Sequence, residues 1–378
     1  MLSSGEPSGD LYAGALTREL RTLAPDLVVF GMGGPRFAGA GGHLIEDYRG
    51  LAVTGLTEAI AKVPRSIATL RRLVRSASTT RPDALVVIDF PDFNFPLARR
   101  IKRLRIPVVY YISPQIWAWR PGRLKTIRAI ADLVLVIFPF EEQIYRDGGV
   151  PVTFVGHPLV DLVRPSDRDT FLQRVGLSPA SPTIAILPGS RRNEVERILP
   201  DLVAATERIR ARVPGAQFAV ARAPDLDDRL FDLVRARAAA LGERVAIVEG
   251  ETDAVLAAAD VALTASGTAT VQAALHDTPM VIVYRVSPLT YRLGRWLVTV
   301  DTFGMVNLIA GETIVPELIQ DAFTPEAVAG EAVSMLTDPA RRARVREGLA
   351  RVRERLGGPG ASRRAAEAIL GISRRVKT

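Results

Sequence analysis

The sequence predicts an α/β protein made of two doubly wound, parallel-sheet domains in tandem. Three observations carry that prediction. Short runs rich in Val, Ile and Leu alternate with stretches of helical apolar spacing, the pattern of strands joined by crossover helices. The alternation runs to about residue 155, breaks, and restarts near residue 183. The chain has 378 residues, 48% of them hydrophobic, which is too long for one ordinary core and suits two domains of about 150–200 residues.

In the first half the expected strands are Leu27–Gly31, Ala84–Ile88, Val108–Ile112, Leu133–Ile137 and Thr153–Val155. Helical patterns lie between them at Gly9–Leu23, Pro64–Thr79 and Phe95–Leu104. Ser3 to Asp10 reads as a strand-to-helix turn with almost no strand before it, so either the first strand is vestigial or the sequence starts several residues late. His157 to Pro182, rich in Pro, Asp and Ser, is the break, with one short helix around Thr170–Val175. The second set of strands is Thr183–Leu187, Gln217–Ala221, Ala246–Glu249, Val261–Thr264 and Met280–Val283. The expected division is a first domain at 1–160, a linker at 161–181, a second domain at 182–340 and a basic helical tail at 341–378 that could return to the first. Two Rossmann-like domains of this kind face each other across a cleft, and such clefts bind ligands at strand C-termini.

Composition narrows the function. With no cysteine, disulfide scaffolds, thiol catalysis and cysteine-held metals are excluded. No apolar run reaches 18 residues, so no spanning helix is expected; the strongest run, Leu133–Phe140, is of strand length. The first residues show neither a charged nor an apolar leader region, and a cytosolic protein is expected. The net charge is +8 and the isoelectric point near 10.1. However, residues 340–378 hold twelve Arg/Lys against three acids, leaving 37 basic and 38 acidic residues elsewhere. A near-neutral body with a basic end does not suggest a nucleic-acid partner.

A second basic stretch, Ala59–Pro82, holds Lys62, Arg65, Arg71, Arg72, Arg75 and Arg81 with no acid. Ile60, Val63, Ile67, Leu70 and Val74 recur there at helical spacing, and Pro64 suits the first turn of a helix. Such a helix either lies on an anionic membrane surface or docks its apolar stripe on its own sheet.

Several loops could carry chemistry. Pro188-Gly189-Ser190-Arg191 follows a strand and opens a helix, exposing N–H groups beside a fixed cation. Ala265-Ser266-Gly267-Thr268-Ala269-Thr270 does the same, and two such loops at neighbouring strand ends can hold a diphosphate without metal. Arg285, past the next strand, is placed for a third contact. Asp89 closes an apolar strand, the position of a general base or of a turn residue, while Asp92 is the better helix cap. Tyr110-Tyr111-Ile112-Ser113-Pro114-Gln115-Ile116-Trp117-Ala118-Trp119 concentrates aromatics after one strand, suiting a sugar face, an acyl chain or a satellite core. Gly31-Met32-Gly33-Gly34-Pro35-Arg36 fails as a dinucleotide fingerprint because Arg36 stands at the third glycine. His43, His157 and His276 have no ligand spacing, so no metal site is expected; His157, at the domain junction, is a cleft residue or a structural turn.

Six segments occur in order: Gly5-Glu6-Pro7-Ser8-Gly9-Asp10, Ile88–Asn94, Ser113–Trp119, Phe154-Val155-Gly156-His157-Pro158, Leu187-Pro188-Gly189-Ser190-Arg191 and Ser266-Gly267-Thr268-Ala269. The series resembles bacterial lipid-A-disaccharide synthases. The resemblance implies an inverting, metal-independent glycosyltransferase of the B-type fold, without cofactor. It would join UDP-2,3-diacylglucosamine to 2,3-diacylglucosamine 1-phosphate and release UDP. It implies Asp89 as base and Arg191 as the essential arginine. Gly189, Ser190, Ser266, Gly267, Thr268, Gln272, Arg285 and Asn307 fall to UDP, with Gln272 where many relatives carry Glu. Glu6, Ser8, Gly9, Asp10, Trp117 and His157 fall to the acceptor side. Tyr284 and the Val306-Asn307-Leu308 stretch also match cleft positions. Acylated substrates favour the membrane reading, with Val63, Ile67, Leu70, Arg71, Arg72 and Arg75 facing the cytoplasmic side of the inner membrane and Leu289–Leu297 as a second contact. A homodimer is also implied. Competing readings are another UDP-N-acetylglucosamine enzyme of this fold, such as the peptidoglycan lipid-precursor transferase or a 2-epimerase, and a non-catalytic basic binding protein.

Overall fold

A computed structural model of the chain describes residues 1–51, 56–114, 122–224, 226–240, 244–286, 302 and 304–375. The chain forms two compact units. One comprises residues 1–162 and the C-terminal segment from Leu356; the other lies between Val163 and Arg355.

The first unit holds a parallel sheet of β1 (Leu2–Ser4), β2 (Phe30–Gly33), β3 (His43–Asp47), β4 (Leu85–Ile88), β5 (Val108–Tyr111), β6 (Leu133–Val136) and β7 (Val152–Phe154). Its order is β3-β2-β1-β4-β5-β6-β7. The chain winds outward from β1 to β3, returns to the middle, and winds the other way from β4. The direction reverses between β1 and β4, and ligands of such sheets bind at that reversal, beyond the strand C-termini. The second unit repeats the plan with β8 (Thr183–Leu187), β9 (Gln217–Arg222), β10 (Val245–Glu249), β11 (Val261–Ala265), β12 (Met280–Tyr284) and β13 (Glu317–Ile319). Its order, β10-β9-β8-β11-β12-β13, puts the reversal between β8 and β11.

The first strand is short but not vestigial. Leu2 and Ser3 pair with β2 on one side, Leu2 to Ser4 pair with β4 on the other, and all three residues are buried. Two strands escape the sequence pattern, β3 and β13. Both lie at sheet edges, are only partly buried and lack an apolar run. Residue 112 drops out of β5 because Ile112 has φ +57.

The basic helix begins at Leu56, not Pro64, and runs to Thr80 with Pro64 inside it. Pro64 is exposed, and its missing N–H leaves one carbonyl of the preceding turn without its helical partner. The apolar stripe divides: Leu70, Leu73 and Ala77 sink into the first core and Val74 packs against it, while Val63 and Ile67 stay exposed. Leu70 is therefore a core residue, not a membrane-facing one. The basic tail also divides. The helix Pro339–Arg355 stays in the second unit, the chain crosses at Leu356, and the helix Ala361–Arg375 packs on Pro7–Leu23.

Candidate functional site

In the first unit, the reversal between β1 and β4 is flanked by Gly5-Glu6 and Asp89-Phe90. Ser4 pairs with Ile88, so the two turns leave the sheet side by side. They are in contact: a Cβ on Gly5 would lie 2.0 Å from the Phe90 ring, so only glycine admits that ring. Asp89 and Phe90 both have left-handed backbone, φ +41 and +50, and Ile112 at the end of neighbouring β5 has φ +57. Such a conformation costs an L-residue roughly 1–2 kcal/mol, and a β-branched residue rarely adopts it. Hydrogen bonds hold the cluster. The Asp89 N–H donates to Ile112 O at 3.1 Å, and Asp89 O accepts from Asn94 Nδ2 at 2.7 Å and Tyr110 Oη at 2.9 Å. Ser3 Oγ donates to Asn94 Oδ1 at 2.7 Å, tying β1 to the same knot. Asp89 itself is only partly buried.

Asp92 is not the helix cap. It lies within the first turn of the helix Pro91–Arg103, whose N-cap is Phe90, and accepts from Arg123 Nη2 at 2.8 Å. Glu6 is the N-cap of Pro7–Leu23, and Ser8 and Gly9 stand in its first turn. Gly9 packs against Ser4 of β1, where an added Cβ would meet Ser4 Cβ at 3.4 Å.

Asp10, expected on the acceptor side, is engaged by backbone donors of the first unit. Its buried carboxylate accepts from the N–H groups of Gly34 (2.7 Å), Arg36 (2.9 Å) and Phe37 (3.0 Å), the start of the helix Pro35–Gly39. The glycine loop after β2 is thus capped by the protein's own anion, where a dinucleotide fold would place a phosphate.

In the second unit, the loops 188–191 and 265–268 leave β8 and β11, the two strands at the reversal. Gly189 (φ +118) and Gly267 (φ +153) adopt conformations that suit glycine. Gly267 is the N-cap of Thr268–Leu275, and Thr270 Oγ1 donates back to Gly267 O at 2.8 Å. Around Ser190 and Arg191 sequence reasoning missed a partner. Glu194 Oε2 accepts from the Ser190 and Arg191 N–H groups at 3.1 and 3.2 Å, and Oε1 accepts from Arg191 Nη1 at 3.2 Å. The expected bare N–H donors are therefore engaged by an acidic side chain; its spacing, three residues after Arg191 at a helix start, is the signal that could have revealed it. Tyr284 ends β12 close enough to feel this pair. Burial raises its hydroxyl pKa, the Glu194 charge adds to the rise and Arg191 opposes it.

Gln272, one turn along the helix Thr268–Leu275, donates to Asp253 Oδ1 at 3.2 Å, and His276 Nε2 approaches that oxygen at 3.1 Å. Arg285 and Asn307, expected at UDP, are engaged elsewhere. Arg285 pairs with Asp201, donates to Phe323 O and lies over the Phe323 ring, 4.5 Å from its centroid. Asn307 is buried, donates to Val315 O and Glu317 Oε1, and accepts from the Ile314 and Val315 N–H groups. Both hold the second unit together.

His157, expected on the acceptor side, is also structural. It is buried, packs edge-on against Tyr12 and lies near Phe138, and its Nδ1 accepts from Leu159 N–H at 3.1 Å. Its N–H donates to Leu356 O at 2.8 Å, where the chain re-enters the first unit. Burial lowers its pKa from 6.5 to about 3, keeping the ring neutral. Tyr110 and Tyr111 are wholly buried and present no exposed aromatic face. Trp117 and the 289–297 stretch lie outside the described residues. Among the described residues, no group of three His, Asp or Glu is disposed to hold a metal ion, and no helix is long and apolar enough to cross a membrane.

Residues 1–371 match the family model described as lipid-A-disaccharide synthetase. The chain is 44% identical over 373 residues to the lipid-A-disaccharide synthase of Myxococcus xanthus, covering 98% of this chain and 97% of that one. The synthase of Syntrophus aciditrophicus is 43% identical over the same span, with the same coverage. Among solved structures, the UDP-GlcNAc 2-epimerase of Neisseria meningitidis bound to UDP-GlcNAc superposes with a TM-score of 0.69 at 11% identity, covering 98% of each chain. The calicheamicin glycosyltransferase CalG4 gives 0.60 at 17% identity, covering 100% of this chain and 97% of that one. At those identities the structures speak for the fold, which is the glycosyltransferase B-type.

Proposed function

This chain belongs to the lipid-A-disaccharide synthase family and is a glycosyltransferase, and from that premise we propose the chemistry of its two sheet reversals. The donor is UDP-2,3-diacylglucosamine and the acceptor 2,3-diacylglucosamine 1-phosphate. Asp89 takes the proton of the acceptor 6-hydroxyl. The oxygen forms the new bond to the donor's anomeric carbon from the face opposite UDP, and the bond from that carbon to the diphosphate oxygen breaks. Configuration inverts, giving a β-1,6 disaccharide and UDP. Arg191, Ser190 and the Ser266-Gly267-Thr268 helix start meet the charge that gathers on the departing diphosphate. This reading uses no metal and no cofactor. To admit the diphosphate, Glu194 must yield the Ser190 and Arg191 N–H groups. Gln272 reaches the ribose.

The observation that carries the reading is that Asp89 stands at one reversal and both glycine loops at the other, the places where doubly wound sheets bind ligands. Acylated substrates also call for a bilayer, and the helix Leu56–Thr80 meets the cytoplasmic face of the inner membrane through Val63 and Ile67 with Arg71 and Arg75. The enzyme acts there as a peripheral protein and a homodimer.

A product assay in detergent micelles tests the reaction. Wild-type protein should yield disaccharide and UDP, and Asp89→Ala should lower the rate about 10²-fold or more. Unchanged turnover in the variant removes Asp89 from the chemistry. If the wild type yields no product from this pair, the substrate assignment fails.

A further inference from the structure

We propose that Tyr110 and Asn94 are positioning residues that clamp the Asp89 carbonyl and so aim its carboxylate. The inference rests on the reading of Asp89 as the base. Asp89 and Phe90 hold left-handed backbone where glycine would be the unstrained choice, and Ile112, also left-handed, accepts the Asp89 N–H. Strain persists where the surroundings over-determine it, and here they do. The Asp89 carbonyl takes two donors, Asn94 Nδ2 at 2.7 Å and Tyr110 Oη at 2.9 Å, which together engage both its lone pairs.

The donors are themselves fixed. Asn94 is buried, also donates to Ile88 O at 3.2 Å, and is oriented by Ser3 Oγ on its Oδ1. The Tyr110 ring is buried in β5, edge-on to Phe95 at 5.9 Å. With the N–H and C=O of residue 89 both pinned, its Cα–Cβ direction is set by the neighbouring strand ends. A turn that merely reversed the chain would need no such knot, since Gly at 89 would close it without strain. The side chain at 89 is what the strained backbone keeps in one direction.

Tyr110→Phe removes one donor and keeps the ring. If the clamp aims the base, kcat should fall about 10- to 100-fold, the size of a small misplacement, while KM for both substrates stays within about threefold. In an Asp89→Asn background Tyr110→Phe should cause no further loss, because residues acting as a unit are not additive. Ser3→Ala, which loosens only the orientation of Asn94, should lower kcat with the same non-additivity. Should Tyr110→Phe fail to fold, Ser3→Ala alone decides. Wild-type kcat in the folded variants, or losses that multiply with that of Asp89→Asn, overturns the clamp. Full activity of Asp89→Asn instead removes the base assignment, and the clamp with it.

Discussion

His157 shows how one buried titratable group sets a pH window. Its ring is neutral in the fold, with a pKa lowered to about 3 by burial, against 6.5 when unfolded. Between these values the unfolded chain binds a proton that the folded chain refuses, so the stability due to His157 is complete above pH 6.5 and is lost as pH falls toward 3. The slope is about 1.4 kcal/mol per pH unit. His157→Asn offers an acceptor to Leu159 N–H but cannot titrate. Urea unfolding at intervals from pH 7 to 4 should show the wild type losing stability faster than the variant by about that slope. Parallel curves would mean that the ring protonates within the fold. The motif around His157 was visible in the sequence, but its burial was not, because Leu356, its backbone partner, lies two hundred positions away in the chain. The same holds for Asp10, whose three donors lie more than twenty residues downstream. Asn307 and Arg285 likewise meet their partners only on folding. Motif order identified the residues, and three-dimensional neighbours decided which of them the fold keeps for itself.

Elements were legible where one strand ends and one helix begins in unbroken chain order. The loops after β4, β8 and β11 are of this kind, and their glycines and Asp89 fall at the two reversals as a consequence of winding. The helix Leu56–Thr80 was harder, because helical spacing fits both an inward and an outward face. The structure assigns Leu70, Leu73 and Ala77 inward and leaves Val63, Ile67, Arg71 and Arg75 exposed, four residues apart along one slowly turning stripe. Arg72 leaves that stripe to pair with Glu46. The outward stripe is apolar in its N-terminal half and basic in its C-terminal half, the composition that inserts lightly into an anionic interface. Reversing Arg71 and Arg75 to Glu exchanges attraction for repulsion at about 1 kcal/mol per basic residue removed, so co-sedimentation with anionic vesicles should weaken roughly tenfold or more. Arg72→Glu, which breaks a surface pair beside the stripe, should matter less. Equal sedimentation of wild type and the Arg71/Arg75 variant would leave the stripe as an ordinary solvated face.

At the scale of the whole chain, many of the C-terminal basic residues are engaged in internal ties. Arg341 pairs with Glu331, Arg351 with Glu312, and Arg353 with Asp277, while Arg355 donates to Ile309 O and Ala310 O, capping the helix Met305–Ala310. Beyond the crossing, Arg364 donates to Val155 O, Pro359 O and Gly358 O, and Asp161 accepts from the Gly360 N–H at 2.6 Å. Basic residues that looked like one tail in the sequence thus hold two different units, divided at Leu356. The helix beyond the division buries Ala361, Ala365, Ala366 and Ile369, worth roughly 4–6 kcal/mol by area and an upper value at that. That is comparable with the whole stability of an ordinary domain, roughly 5–15 kcal/mol. A chain ending at Arg355 should therefore lose the calorimetric transition of the first unit, or show it at a much lower temperature, while the second unit, whose arginines remain, keeps its own. UDP should still raise the surviving transition, since both glycine loops are in that unit. Two undisturbed transitions in the shortened chain would show that the first sheet is stable without its returning helix.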